Sequence, residues 1–153
     1  MSVIARRPVI GLLAVLAALT VCSAVLAQPL PAGRRVALNG YDPVSYFTAG
    51  HPEKGSNAFW FAYDDAIYFF KSAEHRAMFA AEPDRYAPQY AGFCAAALSK
   101  GYKVEADPEA WRIVDGKLYL LAFKERLPLL QLDPAAIVDK ADANWPRLRD
   151  VPN

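Results

Sequence analysis

The chain is 153 residues long, a length for one domain with short appendages. Its 17 Lys and Arg nearly balance 16 Asp and Glu, and no three basic residues run together, which argues against a nucleic-acid binder that must neutralise phosphates. A hydrophobic content of 54% excludes a disordered chain, and two Cys and two His are too few for a zinc-finger array or a disulfide scaffold.

Residues 1–27 hold no acidic residue. A basic start at Arg6-Arg7 precedes an apolar run that closes on Val25-Leu26-Ala27. This is the layout of a secretory signal peptide cut after Ala27, with an uncleaved membrane anchor as the alternative. Cleavage would leave 126 residues with a net charge of −1, and Cys94 as the only thiol. The protein is then expected in the periplasm or outside the cell, with no membrane attachment after cleavage.

Residues 28–35 read as a linker, with Pro29, Pro31 and Gly33. Asp42-Pro43 marks a helix start, because Asp caps free N–H groups and Pro suits the first helical position. A short helical turn over 43–48 should end near Gly50. Phe59–Tyr63 and Ala66–Phe70 are β-prone runs around an Asp64-Asp65 hairpin turn. Ser72 should cap a helix over 73–81, with His75, Met78 and Phe79 on one face, stopped at Pro83. The small-residue segment 91–99 leans towards helix, and Tyr102–Glu105 alternates like a short strand. Trp111–Val114 and Lys117–Leu121 flank Asp115-Gly116, the strongest hairpin signal in the chain. Residues 123–132 are helical in pattern despite Pro128, and Asp133-Pro134 starts a last helix to about Asn144. Hairpins and helices segregate, so the class is α+β: a small single domain with a hairpin followed by a helix, a second hairpin and C-terminal helices. No internal repeat is evident.

Four stretches are similar to one family. They are Gly40-Tyr41-Asp42-Pro43-Val44-Ser45-Tyr46-Phe47, Tyr86-Ala87-Pro88-Gln89-Tyr90-Ala91-Gly92-Phe93-Cys94-Ala95, Asp115-Gly116-Lys117-Leu118-Tyr119-Leu120 and Ala141-Asp142-Ala143-Asn144-Trp145-Pro146. Together they resemble the secreted YHS-domain proteins, and the resemblance spans residues 36–148. It implies a hairpin–helix core similar to treble-clef metal-binding modules. It also implies metal binding of a copper type, and some relatives carry selenocysteine at the position aligned with Cys94. The metal-binding relatives have two cysteines where this chain has Lys71 and His75, so a closed Cys-rich site cannot be carried over.

Cys94 is the residue that carries most of the chemistry on offer, either as a reactive thiol or as a soft-metal ligand for copper or zinc. The alternative is a small buried residue among alanines. A helix starting at Gly92 would turn free N–H groups to its sulfur, and His75, Lys71 or Lys100 could be brought near by the fold. His75 is the candidate second ligand, or a base for the thiol. Tyr41, Tyr46, Tyr90, Trp111 and Tyr119 could line a pocket or simply close the core. His51 reads as solvated and Asp42 as a cap. The expected roles are therefore an exported soft-metal binder, a thiol-redox protein, or a non-catalytic module. The partner would be a metal ion or small molecule, not a nucleic acid.

Overall fold

The computed structural model describes residues 29–152, so the expected signal segment 1–27 lies outside the described residues. Strand β1 (Arg35–Val36) opens the fold, which puts Arg35 in the sheet rather than in the linker. A tight left-handed turn, Ala37–Gly40, leads to the short helix α1 (Ser45–Thr48). Strands β2 (Ser56–Tyr63) and β3 (Ala66–Phe70) form an antiparallel hairpin, and β1 adds in parallel to β3, giving the order β1-β3-β2. Asp64 and Asp65 make the hairpin turn at φ 46° and 60°, without the glycine that such a turn prefers.

Helix α2 (Ala73–Ala81) begins as its cap predicts, the Ser72 hydroxyl oxygen accepting the His75 N–H at 3.1 Å. Helix α3 (Pro83–Tyr86) follows, then a second left-handed turn, Gln89–Gly92, and the short helix α4 (Ala95–Leu98). Strands β4 (Trp111–Val114) and β5 (Lys117–Leu120) pair around Asp115-Gly116. A 3-10 turn, Lys124–Arg126, runs into α5 (Leu127–Leu132), whose Pro128 sits harmlessly in the first turn. Helix α6 (Pro134–Leu148) is capped by Asp133, whose Oδ1 accepts the Ala136 N–H at 3.1 Å. The fold is α+β, with two small sheets and C-terminal helices.

Two expectations are corrected. Tyr102–Glu105 is not a strand: it contributes only an isolated bridge from Phe93 to Glu105 and the Val104 carbonyl that accepts the Cys94 N–H at 3.1 Å. Helix α6 continues past Asn144 and through Pro146, because its buried face extends from Ala141 to Leu148.

The core centres on Phe79, fully buried with Phe61, Tyr63, Tyr68 and Phe70 around it at centroid distances of 5.9, 5.9, 5.1 and 5.1 Å. Several tyrosines pack with it and resist ionisation. Burial raises Tyr46, Tyr68, Tyr90 and Tyr119, while Tyr63 is pushed up to about 12, chiefly by its hydrogen bond to Asp84. Folding favours the neutral phenol at each of these. Their contribution to stability is fully present below the unfolded value of about 10 and is lost as pH rises through the higher folded values. The ultraviolet phenolate band of the folded protein at pH 11 should therefore fall well short of eight tyrosines, the missing part appearing on unfolding. Full ionisation of the folded chain at that pH would contradict this packing.

The architecture also contains a repeat that the sequence does not advertise. Leu38, Asn39 and Gly40 have φ of 55°, 49° and 78°; Tyr90, Ala91 and Gly92 have 57°, 51° and 83°. Each turn is followed by an aromatic residue in a bridge, Tyr41 to Lys54 and Phe93 to Glu105. The next residue, Asp42 or Cys94, donates its N–H to Glu53 O or Val104 O. A short helix, a hairpin and a further helix follow in both halves. Ser72 and Phe123 precede the helical turns in the same extended conformation, at φ −151° and −142°. Glu82-Pro83 and Asp133-Pro134 start the last helices with matching dihedrals at Glu82 and Asp133. The first expectation, of no repeat, is thus corrected: one unit of roughly fifty residues is used twice, as the spacing of the paired elements shows.

Candidate functional site

The repeat places Asp42 and Cys94 in the same position of the two units, and their side chains do the same work. Each accepts an N–H from the segment that leaves its hairpin, one residue past the strand in the first unit and two in the second. Lys71 N–H reaches Asp42 Oδ2 at 3.0 Å, and Ala122 N–H reaches Cys94 Sγ at 3.2 Å. Asp42 is fully buried and takes two more donors, the Val44 N–H on Oδ1 at 2.8 Å and His75 Nδ1 on Oδ2 at 2.7 Å. An ionised carboxylate only accepts, so His75 donates from Nδ1. The expected cap at Asp42 is corrected: α1 starts at Ser45 with Val44 as its N-cap and no side-chain cap, and the Asp42 bond to the Val44 N–H closes a turn ahead of that helix. The bond to His75 is its larger task, since it ties helix α2 to the turn that precedes α1.

His75 is therefore committed to Asp42. It does not line the cavity beside Cys94. Lys71 is held elsewhere, with its Nζ 2.5 Å from Glu53 Oε2. His51 is exposed, as expected. Among the described residues, no group of three or more His, Cys, Asp or Glu is placed to hold a metal ion. The donor set does not fit the copper or zinc site that the resemblance implies. Cys94 offers one soft ligand, and the carboxylate nearest in its cavity wall, Glu105, is paired with Arg35 at 3.0 Å.

Cys94 itself is 3% exposed, so its thiol is reachable only through the cavity whose wall it helps to form. That cavity has a volume of about 390 Å³. Ala96, Ala97, Val104 and Ala122 give it apolar walls, with Tyr102 and Phe123 at exposed positions around it. Two cations, Lys100 and Arg126, also line it. Arg126 stands third in its helical turn, where His75 stands in the first unit, so the repeat puts a cation in the wall of the Cys94 cavity at the position from which the first unit's imidazole meets Asp42. The helix after Cys94 is only four residues long, and the Ala97 and Leu98 N–H groups bond to the Cys94 carbonyl at 3.1 Å, not to its sulfur. The expectation that helix amides face the thiol is replaced by the single amide of Ala122.

The aromatic set divides. Tyr46 and Trp111 meet edge to face at 5.2 Å, and the Tyr46 hydroxyl donates to Pro108 O at 2.8 Å. Tyr41 lies under Lys54 Nζ, 3.9 Å from its ring centre. Tyr90 packs against Tyr119 and Trp145 at 6.0 and 5.8 Å, and its hydroxyl donates to Asp142 at 2.7 Å. None of the five lines the Cys94 cavity. The residues that do line it, Tyr102, Phe123 and Arg126, carry no motif, and only the repeat singles out Arg126.

No helix of the described residues is long and apolar enough to cross a membrane. Comparison with protein-family models, with curated proteins and with solved structures finds no match.

Proposed function

We propose that this is an exported, YHS-like thiol protein in which Cys94 reacts with a small molecule that enters the cavity beside it. The observation that carries the reading is the placement of the one free thiol among the described residues in the wall of a largely apolar cavity that Lys100 and Arg126 also line. Apolar walls suit the body of a small ligand and the two cations suit an anionic group on it. The reaction is thiol–disulfide exchange: the Cys94 sulfur attacks one sulfur of a disulfide, a mixed disulfide forms, and the other sulfur leaves as a thiolate. The thiol proton passes to solvent, and an external thiol reverses the step. With no second cysteine in the exported part, Cys94 cannot resolve the mixed disulfide internally. The copper-type reading has less support, because it rests on Cys94 alone.

The test uses the folded chain in a Cys22→Ser background and oxidised glutathione, an anionic disulfide. Peptide mass analysis should find one glutathione on Cys94, none in Cys94→Ser, and slower modification in Arg126→Gln. Modification of Cys94 only after unfolding would make it a packing residue and end the chemical reading.

A further inference from the structure

A second cavity, of about 220 Å³, lies apart from Cys94. Residues 87–91, between α3 and α4, supply one wall, and Asp142 and Trp145 of α6 another. Both segments belong to stretches singled out in the sequence, and neither is explained by the thiol site. Three features give the cavity a chemical character.

The first is its charge. Asp64, Asp84 and Asp142 line it, and no Lys or Arg does. Asp64 is neutralised by Arg149 at 2.6 Å. Asp84 and Asp142 have no ion-pair partner among the described residues; each instead accepts a tyrosine hydroxyl, Asp84 from Tyr63 and Asp142 from Tyr90. A neutral hydroxyl orients a carboxylate but leaves its charge in place. Two carboxylates thus line one cavity with no ion-pair partner of their own among the described residues.

The second is its aromatic lining, from Tyr63, Tyr68, Tyr90 and Trp145. Aromatic faces attract cations, most strongly where water is partly excluded. The third is an unmet polar atom. Tyr68 is fully buried, and its hydroxyl is the one buried side-chain oxygen or nitrogen without a partner among the described residues. Burying a hydroxyl unsatisfied is costly, and a phenylalanine there would pack the same ring at no such cost.

We propose that this cavity binds a small organic ammonium ion, with Asp84 and Asp142 accepting its N–H groups, the Tyr68 hydroxyl accepting another, and Tyr90 and Trp145 covering its alkyl part. Metal ions are not the ligand class: the described residues hold no cluster of donors for one, whereas aromatic walls with carboxylates match an alkylammonium.

The experiment is a calorimetric titration of the full chain with 1,4-diaminobutane, n-butylamine and 1-butanol at constant ionic strength, with Trp fluorescence as a second readout. Saturable binding of the amines, with 1-butanol at least roughly tenfold weaker, is expected from the loss of charge pairing. Tyr68→Phe is the deciding variant. A purely structural hydroxyl predicts an unchanged amine affinity. The proposal predicts a melting temperature equal to or above that of the parent, because an unsatisfied group is removed, together with an affinity at least about fivefold weaker. Asp142→Asn should weaken binding further while leaving an acceptor for the Tyr90 hydroxyl. Failure of the amines to bind saturably, equal binding of 1-butanol, or a Tyr68→Phe variant that binds like the parent would each overturn the proposal, the first two leaving the cavity as a water-filled cleft.

Discussion

Asp42→Ala is expected to cost the fold several kcal/mol, because each buried donor left without its acceptor costs about 1–3 kcal/mol. Three donors lose their acceptor at once: the Val44 and Lys71 N–H groups and His75 Nδ1. Asp42 is fully buried, so water cannot replace it without opening the contact between α2 and the first turn. Asp42→Asn keeps one acceptor oxygen but turns an NH₂ towards a donor, and should fall between the two. Urea unfolding followed by circular dichroism measures this as a shift in midpoint at constant slope. An alanine variant within about 1 kcal/mol of the parent would show that the carboxylate does not hold the two elements together.

Phe79→Ala should cost a similar amount, about 3–5 kcal/mol, through a different mechanism. The ring is in contact with four others and has no exposed surface, so its removal leaves a void that those rings can fill only by leaving their rotamers. Phe79→Leu returns part of the volume and should recover part of the loss. The check is thermal unfolding of the two variants side by side; equal melting temperatures for alanine and leucine would mean that the aromatic cluster collapses freely.

The elements were largely legible in the sequence because local chemistry sets them. Ser72 and Asp133 announced helices α2 and α6, and Asp64-Asp65 and Asp115-Gly116 announced both hairpins. The strand expected at Tyr102–Glu105 failed because alternation over four residues does not supply a partner strand, and here only the Phe93–Glu105 bridge exists. The repeat escaped because backbone conformation, not side-chain identity, is what the two units share. Leu38-Asn39 and Tyr90-Ala91 adopt the same left-handed turn with different side chains, and only the closing glycine, Gly40 or Gly92, is shared. The site was legible only in part. Cys94 stood out as a solitary thiol, but spacing could not place His75, which the fold brings to Asp42 instead. Arg126, Phe123 and Tyr102 were silent because nothing local distinguishes a residue beside a cavity from any other surface residue.

The shared position of Asp42 and Cys94 implies a division of labour between the halves. A site shaped for reactivity usually weakens the protein that holds it, since strain and unmet charge are destabilising. In the first unit the shared position binds three donors and holds elements together. In the second it accepts a single amide, that of Ala122, and packs in the core. A substitution at Cys94 therefore removes one hydrogen-bond acceptor from the fold where a substitution at Asp42 removes the acceptor of three donors.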